Sequence, residues 1–160
     1  MSTLPVPNEA DWGNYKEDLD QNWAHEHYSG RTNDELLGFF QSNPTERTSE
    51  LRFMPEIPFR YYMLGFRDSV LALDIDKLQP SDASICDASD AASCFLDLIE
   101  EKLQKNPSHI LPIMHDLLPA VEHLAKNQKK FDADPEIYGD FMGKFDRIRL
   151  LLDKARGLVV

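Results

Sequence analysis

The chain has 160 residues, 42% of them hydrophobic, and carries a formal charge of −11. That length suits one domain, able to fold without disulfides or a structural metal, and sixteen aromatic residues exclude a disordered chain. Acidity on this scale works against nucleic acid phosphates and anionic membranes as partners and favours encounter with a basic protein.

In chain order, residues 1–7 should form an extended segment, because Pro5 and Pro7 disfavour helix at themselves and at the residues before them. Asn8 is placed to cap the first helix. From Glu9 to about Glu26, Trp12, Tyr15, Leu19 and Trp23 recur every three or four residues. This predicts one amphipathic helix with those four inward and Asp11, Glu17, Asp18 and Asp20 outward. Tyr28-Ser29-Gly30 ends it.

Thr32-Asn33-Asp34-Glu35 reads as a capping box ahead of a short helix with Leu36, Leu37, Phe39 and Phe40. Residues 45–53 are ambiguous, with room for one or two helical turns, and Pro55 and Pro58 frame a turn. Pro58 then opens the most apolar helix, about 59–73. Phe59, Tyr62, Met63, Phe66, Val70 and Leu73 line one side of it, and Tyr61, Leu64 and Leu71 the other. A helix apolar around most of its circumference belongs at the centre of a bundle.

Residues 74–89 read as a polar connector. Asp90 to Lys105 has Ala91, Cys94, Phe95, Leu98 and Ile99 inward, with Asp90, Asp97, Glu100 and Glu101 clustered opposite. Ser108 is a candidate cap for the next helix, which Pro119 should kink or divide near Leu117. Asp134-Pro135-Glu136 is a helix start, and Tyr138, Phe141, Phe145, Ile148, Leu152 and Ala155 form the final core stripe. No run alternates with period two. The fold class is therefore all-α: a single-domain helical bundle of five to seven helices.

Catalytic motifs are missing. No dinucleotide-binding or phosphate-binding glycine loop occurs, no GxSxG elbow and no HExxH. His25 and His27 lie two residues apart, so on a helix they diverge by about 200° and share an ion poorly. His109, His115 and His123 read as surface histidines. No ExxH pair supports a di-metal bundle, so neither metal nor cofactor is expected. Cys86 and Cys94 lack zinc spacing and read as free thiols. No basic-then-apolar leader and no apolar run of membrane-spanning length appears, which predicts a cytoplasmic protein.

The pattern of Trp23, Leu36-Leu37 and then Phe53-Met54-Pro-x-x-Pro-Phe-Arg-Tyr-Tyr-Met resembles small uncharacterised bacterial proteins, some of which look like immunity proteins of contact-dependent or type VI secretion toxins. The resemblance covers residues 23–68. It implies a small acidic helical protein that binds a cognate toxin and blocks it, and it assigns no site residue.

Charge placement points the same way. Residues 1–50 carry a net −7 and residues 81–106 a net −4, while each other stretch balances to zero. The expected function is an immunity or antitoxin-like protein that occludes a basic partner. Glu17, Asp18 and Asp20 are one candidate contact zone, and Asp90, Asp97, Glu100 and Glu101 the other. Arg60, Tyr61 and Arg67 on the central helix are further candidates, since Tyr and Arg are enriched at interface hot spots. The alternatives are an acidic adaptor, chaperone or regulator, and an enzyme of unrecognised type using the histidines.

Overall fold

In the computed structural model the described residues are 4–74 and 87–157. They contain no strand, and six of their helices have nine or more residues, as an all-α bundle requires. Cys86 and most of the polar connector lie outside the described residues.

The predicted first helix is divided. Two 3₁₀ turns, Glu9–Trp12 and Tyr15–Glu17, precede α1, Leu19–Tyr28. Asn8 caps the first turn, exchanging side-chain hydrogen bonds with Asp11. Gly13 then takes φ 59°, a left-handed value open to glycine at no steric cost. Asp18 restarts the helix, its Oδ1 accepting from the N–H groups of Asp20 and Gln21. The break shifts the helical phase and splits the predicted stripe. Trp12 and Tyr15 are buried, whereas Leu19 is 89% and Trp23 36% exposed.

Thr32 accepts from the Glu35 N–H (3.2 Å), but it caps a turn, and α2, Leu37–Gln41, begins only afterwards. The ambiguous stretch is a full helix, α3, Pro44–Arg52. Asn43 caps it through Glu46 N–H, and Pro44 sits in the first turn, where a missing N–H costs nothing.

The central helix, α4, runs Glu56–Leu71. It starts earlier than predicted because Pro58 falls within its first turn, where no intrahelical donor is needed. Phe59, Tyr62, Met63, Phe66 and Val70 are fully buried, and Tyr61 and Leu64 nearly so. Each such side chain contributes about 1.5–3 kcal/mol. Around α4 pack α2, α3, α5 (Ala88–Lys105), α6 (Pro107–Ile110) and α7 (Met114–Lys126).

Pro119 does not divide α7. The interruption lies upstream, at the 3₁₀ turn Leu111–Ile113 containing Pro112. Pro119 faces solvent, where water can serve the carbonyl left without its donor. The start at Asp134 yields only α8, Pro135–Tyr138, which stops at Gly139 (φ 80°). Asp140 recaps the chain into α9, Phe141–Ala155, which packs across α5 and α7. No helix of the described residues is long and apolar enough to cross a membrane.

The loop after α1 is clamped to α4 by side chains rather than by apolar packing alone. Asn33 donates through its backbone N–H to the Tyr61 hydroxyl (3.1 Å) and through Nδ2 to the Tyr61 carbonyl (2.8 Å). The Tyr62 hydroxyl lies within hydrogen-bond distance of the Tyr28 and Arg31 carbonyls. Gly65 makes this approach possible, because a Cβ there would fall on the Asn33 side chain. Gly65→Ala should destabilise the fold by about 1–3 kcal/mol in chemical denaturation, despite alanine's higher helix propensity. Unchanged or raised stability would contradict the clamp.

Candidate interaction surface

The two acidic zones have different fates in the fold. On α5, Asp97 receives Lys144 of α9 (2.8 Å) and Glu100 receives Arg147 (2.9 Å). Glu101 accepts from Arg52 of α3 (2.6 Å), with Lys105 at 3.6 Å. Asp90 accepts from the Tyr138 hydroxyl (2.7 Å). Burial disfavours the Glu101 carboxylate, yet the Arg52 hydrogen bond and charge outweigh it and hold its pKa below the ordinary value. This zone is a seam that fastens α5 to α3, α8 and α9.

Arg60, Tyr61 and Arg67 are also engaged internally. Arg60 donates to the carbonyls of His109 (3.0 Å) and Ser108 (2.7 Å) and pairs with Glu56. Arg67 reaches Asp68 and the Asp116 carbonyl. Tyr61 is buried beneath Asn33. These three bind α4 to its neighbours.

Beside them, Lys102 is 2% exposed. Its Nζ donates to the Arg52 carbonyl (2.9 Å), lies 3.4 Å from His109 Nδ1 and sits over the Phe59 ring. Burial drives its pKa down from 10.5 to about 8. Burial, followed by the Lys102 charge, also lowers that of His109.

The histidine pair separates. His25 stacks on Tyr15 (centroids 3.7 Å apart) and shares Glu9 with the Tyr15 hydroxyl, both at 2.8 Å. His27 stacks instead on Trp23 (3.5 Å). Among the described residues no three His, Cys, Asp or Glu side chains are grouped to hold a metal ion. Cys94 is half-buried, and burial raises its thiol pKa, the reverse of an activated nucleophile.

The N-terminal zone stays open. Glu17, Asp18 and Asp20 are exposed, and among the described residues none of them forms an ion pair. One turn along α1 from Leu19 stands Trp23, on the same helix side. Asp20 and Trp23 face α3 across a shallow cleft whose other lining residues are Glu46, Ser49, Glu50 and Phe53. Phe53 is 46% exposed.

Under that cleft lies a buried polar triad. Glu50 accepts from the Tyr28 hydroxyl (2.7 Å) and from Arg47 Nη2 (3.0 Å), while the guanidinium of Arg47 stacks over Phe39 (3.7 Å). Both charged groups are less than 10% exposed. Burial pushes the Glu50 pKa up, against the opposing pull of Tyr28 and Arg47. A second depression, between α4 and α7, is lined by Arg67, Asp68, Asp116 and His123. Acid and base are mixed there, and Arg67 already occupies Asp68.

Periodicity alone predicts Trp23 and Leu19 in the core, and the structure leaves both exposed. The signals against that placement are Gly13 and Asp18, a breaker and a cap within one supposed helix. The sequence pattern includes Phe53 but does not place it at a surface, because that placement depends on α3 being a helix that faces α1. Comparison with known proteins finds no matching family model, and no curated protein or solved structure of significant similarity.

The buried ionisable groups give two measurable outcomes. Arg47→Met leaves Glu50 without its cation and should cost about 3–5 kcal/mol in urea denaturation, with Arg47→Met/Glu50→Gln recovering part of the loss. A loss below about 1 kcal/mol would contradict the triad's structural role. For Lys102, the folded pKa lies below the unfolded one, so between about pH 8 and pH 10.5 the unfolded chain holds more protons and stability rises with pH. The stability of wild type relative to Lys102→Met should therefore increase across that window. A constant difference would show that Lys102 titrates alike in both states.

Proposed function

We propose that the protein is an immunity or antitoxin-like binding protein of the bacterial cytoplasm, which occludes a basic cognate toxin. The observation that carries this reading is the asymmetry of the two acidic zones. The α5 carboxylates are met by cations or hydroxyls of the same chain, whereas Glu17 and Asp20 face solvent with no cation of their own among the described residues. Uncompensated surface charge speeds capture of an oppositely charged protein, and buried anchors then supply affinity.

Occlusion requires no chemistry from the inhibitor, in keeping with a half-buried, unactivated thiol and histidines used for stacking. The resemblance over residues 23–68 supports the same role, and that stretch contains most of α1, all of α2 and α3, and the greater part of α4.

Affinity capture with the whole chain as bait should recover a single basic protein in stoichiometric amount. Glu17→Lys/Asp20→Lys should slow its association about tenfold or more and flatten the salt dependence. Glu136→Lys/Asp146→Lys, the same charge change on α8 and α9, should have a much smaller effect. Equal effects from both pairs, or none from either, would overturn the placement.

A further inference from the structure

We infer that the cleft between α1 and α3 receives an arginine side chain of the basic partner, held between Trp23 and Phe53 and facing Asp20 and Glu46. This inference rests on the reading of the chain as a binder of a basic protein and names the contact that such a partner makes.

The lining sets the sign of the occupant. Asp20, Glu46 and Glu50 line the cleft with Arg47 beside them. Arg47 is held by Glu50 and lies 3.3 Å from Glu46, so its single charge offsets Glu50 and leaves Asp20 and Glu46 to make the cleft net negative. A neutral or anionic group entering the cleft would meet net negative charge without compensation; a cation would relieve it.

The walls set its shape. Trp23 and Phe53 are aromatic, partly exposed and on opposite sides of the cleft, on α1 and at the end of α3. A planar guanidinium stacks on aromatic faces and forks towards carboxylates at once, which an ammonium does less well. The chain already builds this combination internally, where the Arg47 guanidinium lies over Phe39 and donates to Glu50.

The site is also held in place before binding. His27 stacks on Trp23 and its Nδ1 lies 2.9 Å from the Trp23 carbonyl, while the Tyr28–Glu50–Arg47 triad braces α1 against α3. Side chains fixed beforehand lose less entropy on binding. Leu19, 89% exposed one turn from Trp23, extends the apolar surface towards residues flanking the arginine.

The test uses the intact chain and two short peptides, acetyl-Gly-Leu-Arg-Leu-Gly-amide and its citrulline counterpart, which keeps the shape and removes the charge. Titrations are followed by ¹H–¹⁵N NMR. The arginine peptide should move the Trp23 indole N–H and the amides of Asp20, Ser49 and Phe53 saturably. The fully buried Trp12 indole should stay still. Citrulline should bind at least about fivefold more weakly, and Trp23→Ala or Asp20→Asn should weaken the arginine peptide by a similar factor. The remaining resonances of each variant report whether it is folded.

No saturable shift, shifts spread over all acidic surfaces, or equal binding of citrulline would each overturn the inference. The peptide experiment needs no partner, so the two proposals fail separately. If the peptide misses the cleft while Glu17→Lys/Asp20→Lys still loses the captured partner, the binding function stands and the arginine contact falls. If the peptide seats as described but no basic protein is captured, the cleft's preference for arginine stands and the reading of a basic partner falls.

Discussion

The centre of this fold answers to one constraint: α4 is apolar on nearly all sides and has to be covered on nearly all sides. Phe59, Tyr62, Phe66 and Val70 cannot be buried by one neighbour, so five helices and an N-terminal 3₁₀ turn close around it. The same burial obliges its polar groups to find partners within the chain. Tyr61 and Tyr62 take theirs from the end of α1 and the loop after it, while Arg60 and Arg67 take theirs from backbone carbonyls of α6 and α7. The tyrosines and arginines that make this segment look like a recognition motif are thus the fastenings of a central helix.

A second principle separates the two acidic zones. α5 is amphipathic, and its charged side adjoins α9 and α3, which supply Lys144, Arg147 and Arg52. Those pairs neutralise charge where helices meet. α1 instead presents its acids to water, with Leu19 and Trp23 exposed among them. Apolar groups left outside in the company of unpaired acids are more informative than either feature alone. That combination sets negative charge beside exposed aromatic surface in the cleft.

The helical class and the central helix were legible because both rest on local periodicity, and Phe59–Val70 repeats without interruption. The final stripe, Phe141, Phe145, Ile148 and Leu152, was legible for the same reason. The division of the N-terminal helix is not legible in spacing alone, because periodicity persists across Gly13 and Asp18 and a break in phase leaves no trace in a count of spacings. The pairing of Glu100 and Asp97 was not legible at all. Their cations lie 47 residues on, in a segment whose own charges sum to zero, so only the fold brings them together. The cleft combined both difficulties, since one wall needed the corrected phase of α1 and the other needed α3 to exist.

On the proposed function, a basic partner docks on α1 and α3 and not on α5 and α9. The most direct measurement is amide hydrogen exchange on the complex with the captured basic protein, compared with the free chain. Added protection is expected along Leu19–Tyr28 and Pro44–Arg52, with the exposed side of α5 and α9 unchanged. Protection confined to α5 and α9, with α1 exchanging as in the free chain, would contradict it.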